Sequence, residues 1–95
     1  MINAVEIQTD AIKYEVEYTW DRGEDYSLCI DEDQTRFGFK YEDGRLSHSV
    51  MPPGYGVNLM NDIFQRIYDI ESSKSRHIDG LWFYCYIRRK EVKND

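Results

Sequence analysis

The sequence has few of the residues on which recognisable chemistry depends. It contains two cysteines, Cys29 and Cys85, and two histidines, His48 and His77, among 95 residues. Two cysteines cannot complete a metal site alone or build a disulfide framework, so we interpret both as reduced and buried within strands. Phosphate-binding loops, H-E-x-x-H helices and G-x-S-x-G elbows are also missing. The sequence therefore predicts no catalytic residue, metal or cofactor, and a protein that is not an enzyme.

Long apolar segments are lacking as well. No run approaches the roughly 20 apolar residues that a membrane-spanning helix needs. The first ten residues have neither the basic start nor the apolar core of a signal peptide. We therefore expect a cytoplasmic protein that does not contact membranes.

Basic residues are outnumbered, with 12 Lys and Arg against 18 Asp and Glu and a net charge of −6. Proteins that bind nucleic-acid backbones need clustered Lys and Arg to displace counterions, so the composition disfavours direct nucleic-acid binding. The surplus lies in residues 1–50, which carry twelve acids against five bases. This excess of acidic residues favours a protein partner with a basic surface.

Hydrophobic periodicity predicts a sheet followed by a helix. Apolar and polar residues alternate from Ile12 to Trp20, as in a strand with one buried face. Similar patterns predict strands at roughly 2–8, 11–20, 26–31, 36–42 and 45–51. The MPPGYG segment ends this pattern, and an amphipathic helix is predicted from Val57 to about Ser72, with its apolar half on the sheet.

Turn residues predict the register of the hairpins. Asp43-Gly44 favours a type I′ turn, in which both residues have positive φ. This turn would place Glu42 opposite Arg45, and His48 would be a packed core histidine. The further pairs predicted are Ile7–Ile12, Val5–Tyr14, Tyr41–Leu46, Phe39–His48 and Phe37–Val50, and strand three would pair with Val16, Tyr18 and Trp20 of strand two.

The last strand, within LWFYCYIRR, is apolar on both faces. Leu81, Phe83, Cys85 and Ile87 can pack under the helix, whereas Trp82, Tyr84 and Tyr86 occupy the other face. Such a strand is either central and covered twice, or it presents an aromatic row to a partner. The predicted binding surface uses this row as exposed aromatic residues; the alternative is that strong sheet curvature, the N-terminal segment or a symmetric dimer buries the row.

The predicted fold is α+β: an antiparallel β-meander of about five strands, one amphipathic helix packed on a face, and a C-terminal strand that completes the sheet. Residues 1–95 are expected to form a single small domain. Residues 90–95 are expected to be a frayed tail.

The segment from Asp31 to Glu42 has the D-x-D start and the twelfth-position glutamate of an EF-hand calcium loop. Arg36 occupies the sixth position, where the loop needs glycine for its sharp turn. Both flanking segments have strand periodicity rather than helical periodicity. We therefore interpret the segment as a polar hairpin loop that runs into strand four.

The RFGFKY segment resembles the ribonucleoprotein motif of RNA-recognition domains and the similar motif of cold-shock domains. Phe37, Gly38 and Phe39 match the motif, although Arg36 replaces the expected glycine before the first aromatic residue. The resemblance implies aromatic side chains that stack on single-stranded nucleic acid. Phe37 and Phe39 also fall on the apolar face of their strand, which predicts core positions instead.

These observations favour a non-catalytic protein-binding module, such as an inhibitor, a toxin-immunity protein or a phage-encoded antagonist of a basic or nucleic-acid-handling partner. The alternative is an aromatic sheet that binds a small molecule or single-stranded nucleic acid. A symmetric homodimer would be another way to cover the aromatic row. The predicted protein-binding residues are Asp31, Glu32, Asp33, Trp82, Tyr84 and Tyr86.

Overall fold

The computed structural model describes residues 3–9, 11–21, 35–74 and 77–91. Within these residues the chain forms five strands and one helix. The strands make one antiparallel sheet in the order β1-β2-β5-β3-β4, and the helix packs on one face. The predicted α+β fold class is therefore confirmed. The elements in chain order are β1 (Asn3–Thr9), β2 (Ile12–Asp21), β3 (Thr35–Glu42), β4 (Arg45–Val50), α1 (Val57–Lys74) and β5 (Trp82–Glu91).

The C-terminal strand β5 lies in the middle of the sheet. It pairs along its whole length with β2 and, through Trp82–Ile87, with β3. Val16 and Tyr18 of β2 therefore have β1 on one side and β5 on the other. The predicted pairing of these two residues with strand three is wrong because β5 occupies that position. The predicted strand 26–31 itself lies outside the described residues.

The hydrophobic core lies between α1 and one face of the sheet. Phe39 is at its centre, with ring centroids 4.9 Å from Phe83 and 4.7 Å from Phe64. Complete burial of a large apolar side chain contributes about 1.5–3 kcal/mol, so this layer supplies most of the driving force for folding. The core residues that are at most 1% exposed are Val16, Tyr18, Phe37, Phe39, Met60, Ile63, Phe64, Ile67, Phe83, Cys85 and Ile87.

The β1–β2 hairpin has the predicted faces but a different register. Thr9 lies opposite Ile12, Ile7 opposite Tyr14, and Val5 opposite Val16. The predicted pairs Ile7–Ile12 and Val5–Tyr14 are wrong because the connecting loop begins one residue later than expected. The register differs by two positions, and each side chain keeps its face because successive side chains alternate between the faces.

The β3–β4 hairpin turns at Asp43 and Gly44, whose φ angles are 53° and 73°. Positive φ at both positions is the signature of a type I′ turn, which confirms the predicted turn type. Glu42 lies opposite Arg45 and Tyr41 lies opposite Leu46, both as predicted.

A β-bulge at Ser47 changes the rest of this hairpin. The register shifts between Lys40 and Tyr41, so that His48 lies opposite Lys40 and Val50 lies opposite Gly38. The hydroxyl of Ser47 donates to the carbonyl oxygen of Lys40 at 3.1 Å. His48 is consequently exposed on the edge strand and is not a core histidine. The predicted pairs Phe39–His48 and Phe37–Val50 are wrong for the same reason.

The last turn of α1 contains a buried carboxylate. Glu71 is 2% exposed, and its Oε1 accepts a hydrogen bond of 2.8 Å from the hydroxyl of Tyr18. Lys74 Nζ lies 3.7 Å from the same oxygen. Burial, followed by the bond to Glu71, raises the pKa of Tyr18, so the hydroxyl remains a donor at neutral pH. This bond fixes the end of the helix to β2, since leaving a buried carboxylate without partners is costly.

Gly44→Val should lower the free energy of unfolding by about 1–3 kcal/mol, because a β-branched residue resists positive φ. A Cβ at this position would meet no atom within 4 Å, so the loss would come from the backbone rather than from a clash. Gly44→Asn is the matched control, since asparagine tolerates this conformation, and it should lose much less. Equal stability of the valine variant and wild type in chemical denaturation would contradict the type I′ turn.

Candidate binding surface

The face of the sheet that points away from α1 carries the aromatic row predicted to bind a partner. Trp82, Tyr84 and Tyr86 alternate along β5 with core residues that face α1. Across β3 they lie opposite Lys40, Gly38 and Arg36, respectively. We call this side of the sheet the distal face.

The aromatic row is only partly accessible. Tyr84 is 3% exposed, whereas Trp82 and Tyr86 are half-buried. The expectation that all three would be exposed is wrong for Tyr84. The row lies on a central strand with neighbours on both sides, as is typical of strands that are apolar on both faces. Trp82 and Tyr86 are therefore the members of the row that retain surface for a partner.

On the distal face, the Trp82 ring contacts side chains of β3 and β4. Lys40 Nζ lies 5.5 Å from the centroid of the Trp82 ring, and the His48 ring centroid lies 5.7 Å away. Lys40 is held in turn by Glu42 Oε1 at 3.1 Å, and His48 Nδ1 is 3.0 Å from Ser47 Oγ. Cation–π and ring contacts of this kind restrain the indole before any partner arrives.

Val50 extends this area to the edge of the sheet. It is 52% exposed and lies opposite Gly38, on the same face as His48. We call Lys40, His48, Val50 and Trp82 the Trp82 surface. The sequence did not place His48 and Val50 on this face. The bulge turns both side chains to the distal face, and the alternating pattern of β4 gives no sign of a bulge.

Charges elsewhere on the distal face largely neutralise one another. Glu15 lies between three bases: Lys90 Nζ at 3.4 Å, Lys13 Nζ at 3.6 Å and Arg88 Nη1 at 4.0 Å. Lys13 Nζ also lies 3.3 Å from Glu6 Oε1. Partly exposed pairs of this kind contribute little to stability, but among the described residues they leave no excess of acid on this face.

The acidic part of the predicted surface, Asp31, Glu32 and Asp33, lies outside the described residues and stays a prediction. Residues 22–34 carry five acids and one base, so much of the net charge of the chain belongs to this segment.

The turn before β5 positions Trp82. Gly80 has a φ of 84°, and its N–H donates to the carbonyl oxygen of Tyr41 at 2.8 Å. The hydroxyl of Tyr68 on α1 donates to Asp79 at 2.9 Å, and burial, followed by Asp79, raises the pKa of Tyr68. These bonds attach the turn to β3 and α1 and so fix the position of Trp82, the first residue of β5.

The two aromatic residues of the RFGFKY segment do not contribute to the distal face. Phe37 and Phe39 are 1% and 0% exposed, and the Phe37 ring lies 5.7 Å from that of Phe64 on the helix. They cannot stack on nucleic-acid bases, so the nucleic-acid interpretation based on them is wrong. The same residues belong to the extended strand Thr35–Glu42, which does not wrap around a metal as a calcium loop does.

A Cys–His catalytic pair does not form between Cys85 and His48. Cys85 is fully buried on the α1 side of the sheet, and His48 is exposed on the distal face. Burial raises the pKa of the Cys85 thiol well above its usual value, so the reactive thiolate is suppressed. Among the described residues, no group of three or more His, Cys, Asp or Glu could hold a metal ion.

Comparisons of the chain with protein-family models, with curated proteins and with solved structures found no match. In the described part of the chain, no helix is long and apolar enough to cross a membrane.

The burial of Cys85 can be tested by thiol labelling. In a Cys29→Ser variant, where Cys85 is the only thiol, reaction with an aromatic disulfide reagent at pH 8 should be about 100-fold or more slower in the native state than in denaturant. The thiol must both reach the reagent and ionise, and burial opposes both steps. Equal rates in the two states would contradict the position of Cys85 under α1.

Proposed function

We propose that this chain is a non-catalytic protein-binding module whose anchor is the Trp82 surface. The observation that carries the proposal is the state of Trp82, which is half-buried, contacts Lys40 and His48, and lies on the face that α1 does not cover. Tryptophan is among the commonest energetic anchors of protein interfaces. An anchor held in place before binding loses less conformational entropy when a partner docks.

The neighbouring residues supply the other parts of an interface. Val50 adds exposed apolar area, and all six residues of β4 are exposed. Lys40 and His48 place polar groups beside the indole, so that an apolar centre is bordered by hydrogen-bonding groups. This arrangement of apolar centre and polar rim is typical of protein interfaces.

The partner we propose carries a basic surface, because the chain has a net charge of −6, most of which belongs to residues 22–34 rather than to the Trp82 surface. An inhibitor, an immunity protein or an antagonist of a nucleic-acid-handling protein would have this electrostatic character. Complementary charge raises the association rate more than it lowers the dissociation rate. Binding should therefore slow as salt is added, since exposed charges are screened over about 8 Å at physiological ionic strength.

A second candidate is binding of single-stranded nucleic acid to the same face. The observation in its favour is that two basic residues of β3 lie directly opposite aromatic residues of β5: Lys40 opposite Trp82, and Arg36 opposite Tyr86. Positive charges and aromatic rings are therefore side by side on this face. The net negative charge opposes it. Micromolar binding of a fluorescent oligothymidylate at physiological salt, lost in Trp82→Ala, would favour this candidate over a protein partner.

The two tryptophans offer a matched test of the protein-binding proposal. Trp20 is 40% exposed, but its ring contacts Tyr18 and Phe83 on the α1 side of the sheet. Trp82→Ala should weaken binding about 30-fold, the effect of an interface anchor worth about 2 kcal/mol. Trp20→Ala should leave affinity within about 3-fold, because it removes the same side chain from the opposite face.

The partner for this measurement would be captured from host lysate with the tagged chain, identified by mass spectrometry and purified. Affinities would be measured by calorimetry on variants whose circular dichroism matches wild type. If Trp82→Ala binds as tightly as wild type, or if Trp20→Ala weakens binding equally, the Trp82 surface is not the site.

A further inference from the structure

β1 forms one edge of the sheet with a regular ladder. All seven of its residues pair with β2, from Asn3 opposite Tyr18 to Thr9 opposite Ile12, without a bulge. Only residues 10 and 11 separate the strands, so the pair at Thr9 and Ile12 is the hydrogen-bonded pair that closes the hairpin. Hydrogen-bonded and non-bonded pairs alternate along an antiparallel ladder. It follows that the N–H and C=O groups of Ala4, Glu6 and Gln8 point away from β2.

The outer edge of β1 carries none of the usual obstacles to strand pairing. Its sequence, NAVEIQT, contains no proline, glycine or lysine, and its single charge, Glu6, is paired with Lys13 at 3.3 Å. The other edge strand, β4, is different, because the bulge at Ser47 breaks the even spacing of its outward groups. In the described part of the chain, no strand pairs with the outer edge of β1.

We propose that β1 pairs antiparallel with β1 of a second copy of the chain, with the two-fold axis between the two Ile7 residues. In this register Glu6 lies opposite Gln8 of the partner subunit, whose side-chain amide can donate to the carboxylate. Moving the axis to Glu6 would oppose two like charges, which destabilises a sheet. Moving it to Val5 would gain little, since Val5 is already 7% exposed, whereas Ile7 is half-buried and has surface to lose.

The self-complementary register favours a second copy over an unrelated strand, because the two-fold axis makes the Glu6–Gln8 pair form twice, once on each side. Residues on the same face lie opposite each other, so the axis is perpendicular to the sheet. The two sheets would become continuous, with both helices on one face and both Trp82 surfaces on the other. If the proposed function holds, such a dimer would bind a repeated or dimeric partner with increased avidity.

The mass of the purified chain tests this proposal without any partner. Sedimentation equilibrium from low micromolar to submillimolar concentration should show a reversible dimer. Gln8→Pro removes an N–H that points outward and none that bonds β2, so it should give a monomer. Gln8→Ala is the matched control, because it keeps this N–H and should still form the dimer.

Charge substitutions at Gln8 test the register. Gln8→Glu places a carboxylate opposite Glu6 of the partner subunit at two symmetric positions and should weaken the dimer by about 2- to 30-fold. Gln8→Lys places an ammonium group there and should strengthen the dimer by a similar factor. Gln8 is exposed, so neither substitution should disturb the core.

A monomer at every concentration would overturn the proposal. A dimer of unchanged stability in all Gln8 variants would also overturn it, since the interface would then lie elsewhere. If Gln8→Pro fails to fold, the opposite effects of the glutamate and lysine variants decide the question alone. Failure of these tests leaves the Trp82 proposal standing, because that proposal is measured on a different face and with a different partner.

Discussion

The sheet depends on the insertion of β5 between two hairpins. In the described part of the chain, β1–β2 and β3–β4 share no strand pairing with each other, and β5 joins them. The strand places Phe83, Cys85 and Ile87 at the centre of the core, each with no exposed surface. Most of its contacts are with residues far away in sequence, so the entropy of closing long loops must be overcome before the core is complete. β5 is therefore the strand that completes both the sheet and the core.

The same strand connects the fold to the proposed function. Successive residues of β5 point to opposite faces, so the strand that completes the core with Phe83 also places Trp82 on the distal face. Lys40 reaches Trp82 because β3 is the direct neighbour of β5, and His48 reaches it because the bulge at Ser47 shifts β4 by one residue. The Trp82 surface is thus built from three adjacent strands, whose relative positions depend on β5.

The local elements could be predicted from sequence because each depends on neighbouring residues. The alternation of β2, the helical period of α1 and the Asp43-Gly44 turn are signals of this kind. The position of β5 could not be predicted, because its apolar faces allow a central strand without naming its neighbours. The bulge at Ser47 could not be predicted either, because Leu46, His48 and Val50 alternate with two serines just as they would in a regular strand. Glu71 is different: it lies four residues after the buried Ile67, on the same helical stripe, so its burial could have been anticipated.

Native-state hydrogen exchange tests directly whether β5 holds the two hairpins together. The amides of Phe83, Cys85 and Ile87 should exchange only through global unfolding, with the free energy found in chemical denaturation. The amides of the exposed edge strand β4 should exchange through smaller, local openings. If the β5 amides exchanged with a lower free energy than those of the β1–β2 hairpin, β5 would detach from an otherwise complete sheet and would not be the strand that holds the hairpins together.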